Sequence, residues 1–205
     1  MATPQFIPVN GNAIALESIL PTGDGVSDVI NIQTLDAFGY TVDSYLWINW
    51  AGASYDQEAW VNPDTYEIVE GITFTPGQGL WISGASTDQT IQTAGKVGTN
   101  DVSVTLRLGA TGTGNPFPVS VALQDILPEG DGVSDVVNIQ TLDAFGYTVD
   151  SYLWINWAGA SYDQEAWVNP DTYEIVEGVT FDPGQGLWIT GSSSEQSVRF
   201  PAPEL

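Results

Sequence analysis

Apolar and polar residues alternate along much of this chain, and that alternation predicts strands. "DVSVTLRL" (Asp101 to Leu108) puts Val102, Val104, Leu106 and Leu108 on one side and polar residues on the other. "DVINIQT" (Asp28 to Thr34) and "GYTVDSYLWINW" (Gly39 to Trp50) are rich in β-branched and aromatic residues, as half-buried strands are. Only the short "VALQDIL" (Val121 to Leu127) hints at a helical period. Turn signals recur at short intervals: "TGDG", "AFG", "NPD", "PGQG" and "TGTGNP". In "TPGQGLWI", Pro76 and Gly77 suit the two central positions of a type II turn, because Gly accepts the positive second φ. Gly79 leaves room for a close neighbour at the start of the following strand.

The pattern occurs twice. Aligning Gly23 with Gly130 gives an offset of 107 residues, and through Gly84 and Gly191 only four positions differ: Ile30/Val137, Ile72/Val179, Thr75/Asp182 and Ser83/Thr190. All 8 Trp and all 8 Tyr lie inside this block, and all three basic residues, Lys96, Arg107 and Arg199, lie outside it. The expectation is an all-β chain of two tandem, near-identical β-sandwich or small β-barrel modules, spanning residues 1–94 and 95–205.

The strand at Asp101 to Leu108 occurs only once. If every module needs it, one module is a strand short. Three explanations stand open: the sequence starts inside a module, "QFIPV" supplies a replacement, or an open edge is filled by a neighbouring molecule. Asp101, Val102, Val104, Leu106 and Leu108 are therefore the candidate strand-exchange segment.

Charge changes the picture of partners. Three basic residues against 26 acidic ones give a net charge of −23, which argues against nucleic acid, since phosphate binding needs clustered Lys and Arg. Insertion into a membrane is not expected either, because no apolar run reaches 18 residues. "MATPQF" lacks a basic stretch followed by an apolar one and reads as a mature or trimmed start. The partners expected are further copies of the chain, a neighbouring surface protein, or neutral glycans. With no Cys and no His, there is no disulfide, no Cys-ligated metal and no His-based triad. The carboxylate groupings Asp56 with Glu58 and Glu67 with Glu70 could in principle pair as in a glycosidase. Nothing marks either as catalytic, and the chain is read as non-enzymatic with no required cofactor.

Two candidate sites follow from residue type. On the strand from Tyr45, one side carries Tyr45, Trp47 and Asn49 and the other Leu46, Ile48 and Trp50. The all-apolar side suits a core. The other, with Trp60 and the second set Tyr152, Trp154, Asn156 and Trp167, is the candidate glycan platform, which Tyr55, Tyr66 and Trp81 could extend. The competing reading is that these aromatics fill the core of a small module, and Trp81, between Leu80 and Ile82, reads as core or as a turn-packing residue. "GDGVSD" places Asp24 and Asp28, and again Asp131 and Asp135, in candidate calcium loops, although the EF-hand spacing is not met.

The ordered set "GNPFP" (Gly114 to Pro118), "YLWINW" (Tyr152 to Trp157), "PGQGLWI" (Pro183 to Ile189) and "SVRF" (Ser197 to Phe200) resembles β-rich modules of large secreted and surface proteins of bacteria. In the first module the resemblance runs from about Ile19 to Ile91. It implies export, a β fold and an extracellular or cell-surface setting, and it carries no site residues across. The function expected is a structural or adhesive repeat, self-assembling into fibres by strand exchange; the alternative is a carbohydrate-binding protein with two equivalent aromatic sites.

Overall fold

The computed structural model describes residues 5–8 (backbone), 13–36, 38, 40–50, 57–75, 77–84, 89–93, 99–143, 146–157 and 164–203. The first half contains β1 (Gln5–Pro8), β2 (Ile14–Ala15), β3 (Ile19–Thr22), β4 (Asn31–Leu35), β5 (Thr41–Asn49), β6 (Glu58–Val61), β7 (Thr73–Phe74), β8 (Gly79–Ser83) and β9 (Thr90–Thr93). The second contains β10 (Val102–Thr105), β11 (Gly109–Gly114), β12 (Val121–Ala122), β13 (Leu127–Glu129), β14 (Asn138–Leu142), β15 (Thr148–Asn156), β16 (Glu165–Val168), β17 (Thr180–Phe181), β18 (Gly186–Gly191) and β19 (Ser197–Phe200). The fold is all-β, and the strand ladders are antiparallel. "VALQDIL" is no helix: it divides into β12, a 3-10 turn at Leu123–Asp125, and β13. Its apolar residues Val121, Leu123 and Ile126 all turn into the core, which a strand and a tight turn achieve without a helical face.

Each half has a five-stranded sheet, ordered β1-β8-β4-β5-β6 and β11-β18-β14-β15-β16. Smaller sheets oppose them: β2-β7 and β3-β9 in the first half, β12-β17 and the three-stranded β10-β19-β13 in the second. No sheet among the described residues closes into a barrel. Two separate buried clusters result. One includes Leu16, Ile32, Trp47, Trp60 and Phe74; the other includes Leu123, Ile139, Trp154, Trp167 and Phe181.

The halves differ where the repeat ends. β1 lies on β8 just as β11 lies on β18, so "QFIP" occupies the edge that "TGTG" (Thr111 to Gly114) occupies in the second half. β10 pairs with β19 and brings Val102, Val104 and Leu106 into the second core. Among the described residues β9, the counterpart of β19, pairs only with β3. Packing records the difference: Val198 on β19 is fully buried, whereas Ile91 on β9 is only partly covered. Leu20 beside it is 49% exposed.

The turn chemistry read from the sequence is present in both halves. Gly77 and Gly184 have φ of 78° and 75°, and Gln78 and Gln185 donate their N–H to the carbonyls of Thr75 and Asp182 at 3.0 Å.

Candidate functional site

The proposed glycan platform faces inward. Tyr45, Trp47 and Trp60 are buried, with Trp47 edge-on to Trp60 at 5.3 Å and Tyr45 edge-on to Phe74 at 6.1 Å. The same holds for Trp154 with Trp167, and Tyr152 is partly buried against Phe181. The indole N–H of Trp60 donates to the Ile19 carbonyl at 2.9 Å, and that of Trp167 to Ile126 at 2.8 Å, so these rings fasten β6 and β16 to the opposite layer. Asn49 and Asn156 stand at the strand ends and donate their amides to Glu58 and Glu165. Burial, and secondarily Asp43 and Asp150, push the phenols of Tyr45 and Tyr152 above their ordinary pKa. The eight residues of the expected platform are core and strand-end residues. Trp47 and Trp154 pack on Trp60 and Trp167 of the neighbouring strand of the same sheet, and Tyr45 and Tyr152 on Phe74 and Phe181 of the opposing layer, and these contacts hold the aromatic side inside.

The aspartates of the "GDGVSD" loops are used within the protein. Among the described residues no three carboxylates converge on a possible metal position. The carbonyls of Asp24 and Gly25 accept the Gln89 side-chain amide at 3.2 and 2.8 Å, and those of Asp131 and Gly132 accept Gln196 at 3.0 Å each. Asp28 and Asp135 lie at a left-handed φ of 58° and accept the indole N–H of Trp50 and Trp157 at 3.2 Å. Tyr66 and Tyr173, also left-handed at 57°, stack on those same indoles at 6.2 and 6.1 Å. A non-glycine residue at such a φ costs roughly 1–2 kcal/mol. This cluster has no signature in residue order, since nothing local ties Asp28 to Trp50. Tyr55, Asp56 and Lys96 lie outside the described residues.

The uncopied strand is the feature that most distinguishes the two halves. Val102 and Val104 are buried in the second core, Leu106 is fully buried, and Leu108 is 71% exposed. Leu106 therefore ends the inserted segment, and its N–H donates to the Gln196 carbonyl at 2.8 Å. Asp101 anchors the strand: its carboxylate bonds Arg199 and the Ala202 N–H, each at 2.8 Å. The Ala202 N–H and then Arg199 hold the Asp101 carboxyl below the usual carboxylate range. In the first half Gln92 replaces Arg199, so β9 offers the same backbone edge without that anchor.

A second feature, unseen from sequence, joins the halves. The turn at Gly77 docks against β10 and β11: a Cβ added at Gly77 would lie 2.7 Å from Val104 Cγ2, and one at Gly79 would lie 2.5 Å from the Gly112 backbone. Thr113 donates its hydroxyl to the Gly77 carbonyl. The same turn in the second half is open, with nothing among the described residues within 4 Å of a Cβ at Gly184. This pair makes a controlled test. Gly184→Ala is expected to cost only the left-handed strain, about 1 kcal/mol. Gly77→Ala adds the same strain plus displacement of Val104, so its loss measured by urea unfolding should be at least twice as large.

No family model, no curated protein and no solved structure matches this chain. The "GNP" turn that carries the resemblance noted above is a packing device in this structure. Asn115 is fully buried, donates to the Val119 and Phe181 carbonyls at 2.7 and 2.9 Å, and accepts the Phe117 N–H at 2.9 Å. No helix among the described residues is long and apolar enough to cross a membrane.

Proposed function

We propose that this chain is a non-enzymatic structural or adhesive repeat protein of a secreted or cell-surface setting, whose modules are completed by strand addition. The carrying observation is a mismatch in number among the described residues: two equivalent strand edges, β9 and β19, and one strand, β10, that fits them. If β10 moved to β9, β19 would be left bare, so among the described residues one edge is always left to fill. An extended segment with apolar residues two apart is the partner chemistry that such an edge selects. A neighbouring copy or a neighbouring surface protein would supply it. The docked turn at Gly77 supports the same reading, because its open duplicate at Gly184 repeats a joining surface at the other end of the chain. A contact of that head-to-tail kind extends rather than closes.

A synthetic peptide of residues 100–108 tests this. One peptide per chain is expected to bind and to slow amide exchange at Thr90–Thr93. Absence of binding, or protection confined to Ser197–Phe200 through displacement of β10, would rule the reading out.

A further inference from the structure

Two arginines are among the described residues, and the fold uses them in opposite ways. Arg199 takes two carboxylates, Asp101 at 2.8 Å and Glu129 at 2.9 Å. Arg107 takes none. Among the described residues its side chain has no ion pair and no hydrogen bond, in a chain of 26 acidic residues. Its backbone is fixed all the same, since its N–H donates to the Thr111 hydroxyl at 3.1 Å. Ser103, Thr105 and Arg107 lie two residues apart and are exposed, while Val102, Val104 and Leu106 between them fill the core.

That exposed side of the uncopied segment lines a cleft of about 430 Å³ at the junction of the two halves. The first half contributes the docked turn, through Thr75, Gly77 and Gln78, and the end of β4, through Thr34 and Leu35. The duplicate turn faces no such wall among the described residues, so the cleft belongs to the junction and not to the repeated module. Gln78 is held by its side-chain oxygen, which accepts the Thr75 N–H at 3.1 Å. Its NH2 group is left to donate elsewhere.

The lining is rich in donors. The Arg107 guanidinium, the Gln78 NH2 group and the hydroxyls of Ser103 and Thr105 have no partner among the described residues. No described residue of the lining is acidic. A guanidinium presents a planar fork of donors that matches a carboxylate in two parallel bonds. One such cation neutralises one charge, and the −23 of the whole chain opposes a second, which favours a carboxylate over a phosphate dianion. The Thr34 hydroxyl is already engaged by Asp43, so the place for an anion is beside Arg107. The other donors are neutral and suit hydroxyl oxygens, and Leu35 adds a small apolar contact. A sugar acid, with one carboxylate and several hydroxyls on a C–H framework, meets all of these demands. The volume falls within the usual range for small-ligand clefts, roughly 300–1,000 Å³.

We propose that this junction cleft binds a single uronate residue, its carboxylate gripped by Arg107 and its hydroxyls bonded by Gln78, Ser103 and Thr105. The site needs both halves in place, and it does not depend on whether the β9 edge is filled.

Titration of the full chain with galacturonate and glucuronate, followed by amide NMR shifts, tests it. Galactose, glucose, the amide of N-acetylglutamate and inorganic phosphate serve as contrasts. At least one uronate should saturate a single site, with shifts centred on residues 77–79 and 103–107. All four contrasts should bind more weakly, the neutral sugars by about tenfold or more. Arg107→Gln should weaken uronate binding by a similar factor, and Arg107→Lys, which keeps the charge without the fork, should recover only part of it. Ser103→Ala with Thr105→Val should weaken the uronate and leave the glutamate derivative unchanged. These side chains are exposed, so the melting temperature of each variant should move little. No saturable uronate binding, shifts centred elsewhere, equal binding of any contrast, or unchanged affinity in Arg107→Gln would each overturn the proposal.

Discussion

Trp167→Ala is expected to lower the unfolding free energy by about 3–5 kcal/mol, measured by urea denaturation. The ring is 2% exposed, lies edge-on to Trp154, and donates to the Ile126 carbonyl. Removing it leaves a cavity and a buried carbonyl without its donor. Trp154→Phe should cost much less. Among the described residues the Trp154 indole N–H is buried without a partner, as is that of Trp47, so phenylalanine gives up ring volume but also removes an unsatisfied donor. If Trp167→Ala were nearly neutral in stability, the aromatic face would have to be a surface after all.

Val104→Asp is expected to destabilise the second half by roughly 3–5 kcal/mol while sparing the first. Val104 is 7% exposed and packed both into the second core and against the turn at Gly77. Arg199 on the paired strand is already engaged by Asp101 and Glu129, so a carboxylate there would be buried at the cost of its hydration without that partner. Ser103→Asp, on the exposed side of the same strand, should change stability by less than about 0.5 kcal/mol. Urea unfolding of Val104→Asp should separate into two transitions, the later one at the unperturbed midpoint of the first half. A single transition for both variants would mean that β10 does not complete the second core.

Strand positions were readable because alternation is a local property. Asp101 to Leu108, the PGQG turn and the 107-residue repeat could all be placed from residue order alone. The face that each strand buries was not, because period two yields two candidate sides and only the opposing layer chooses between them. For β5 the all-apolar side looked like core, yet Trp47 and Tyr45 meet Trp60 and Phe74, distant in sequence, while Ile48 is buried on the other side as well. Trp81 failed in the opposite sense: alternation with Leu80 and Ile82 reads as core only if all three point the same way, and a strand forbids that.

The site residues divided along the same line. The uncopied strand stood out because a repeat makes any departure from it visible. The docking of Gly77 and Gly79 did not, since "PGQG" has the same letters in both halves and only one is covered. The cleft beside Arg107 needed the assembled halves, because Gln78 and β10 meet there from stretches that no short window contains.

The pairing of Val102 with Phe200 places the entry and exit of the second half side by side, fastened by Asp101, Arg199 and Ala202. Tension applied to those two ends would therefore peel β10 from β19 one residue pair at a time, as a zipper opens, rather than shear all pairs together. The five-stranded sheet takes no part in that first yield. The second half would thus lengthen first by that one strand, with the bulk of its core still folded.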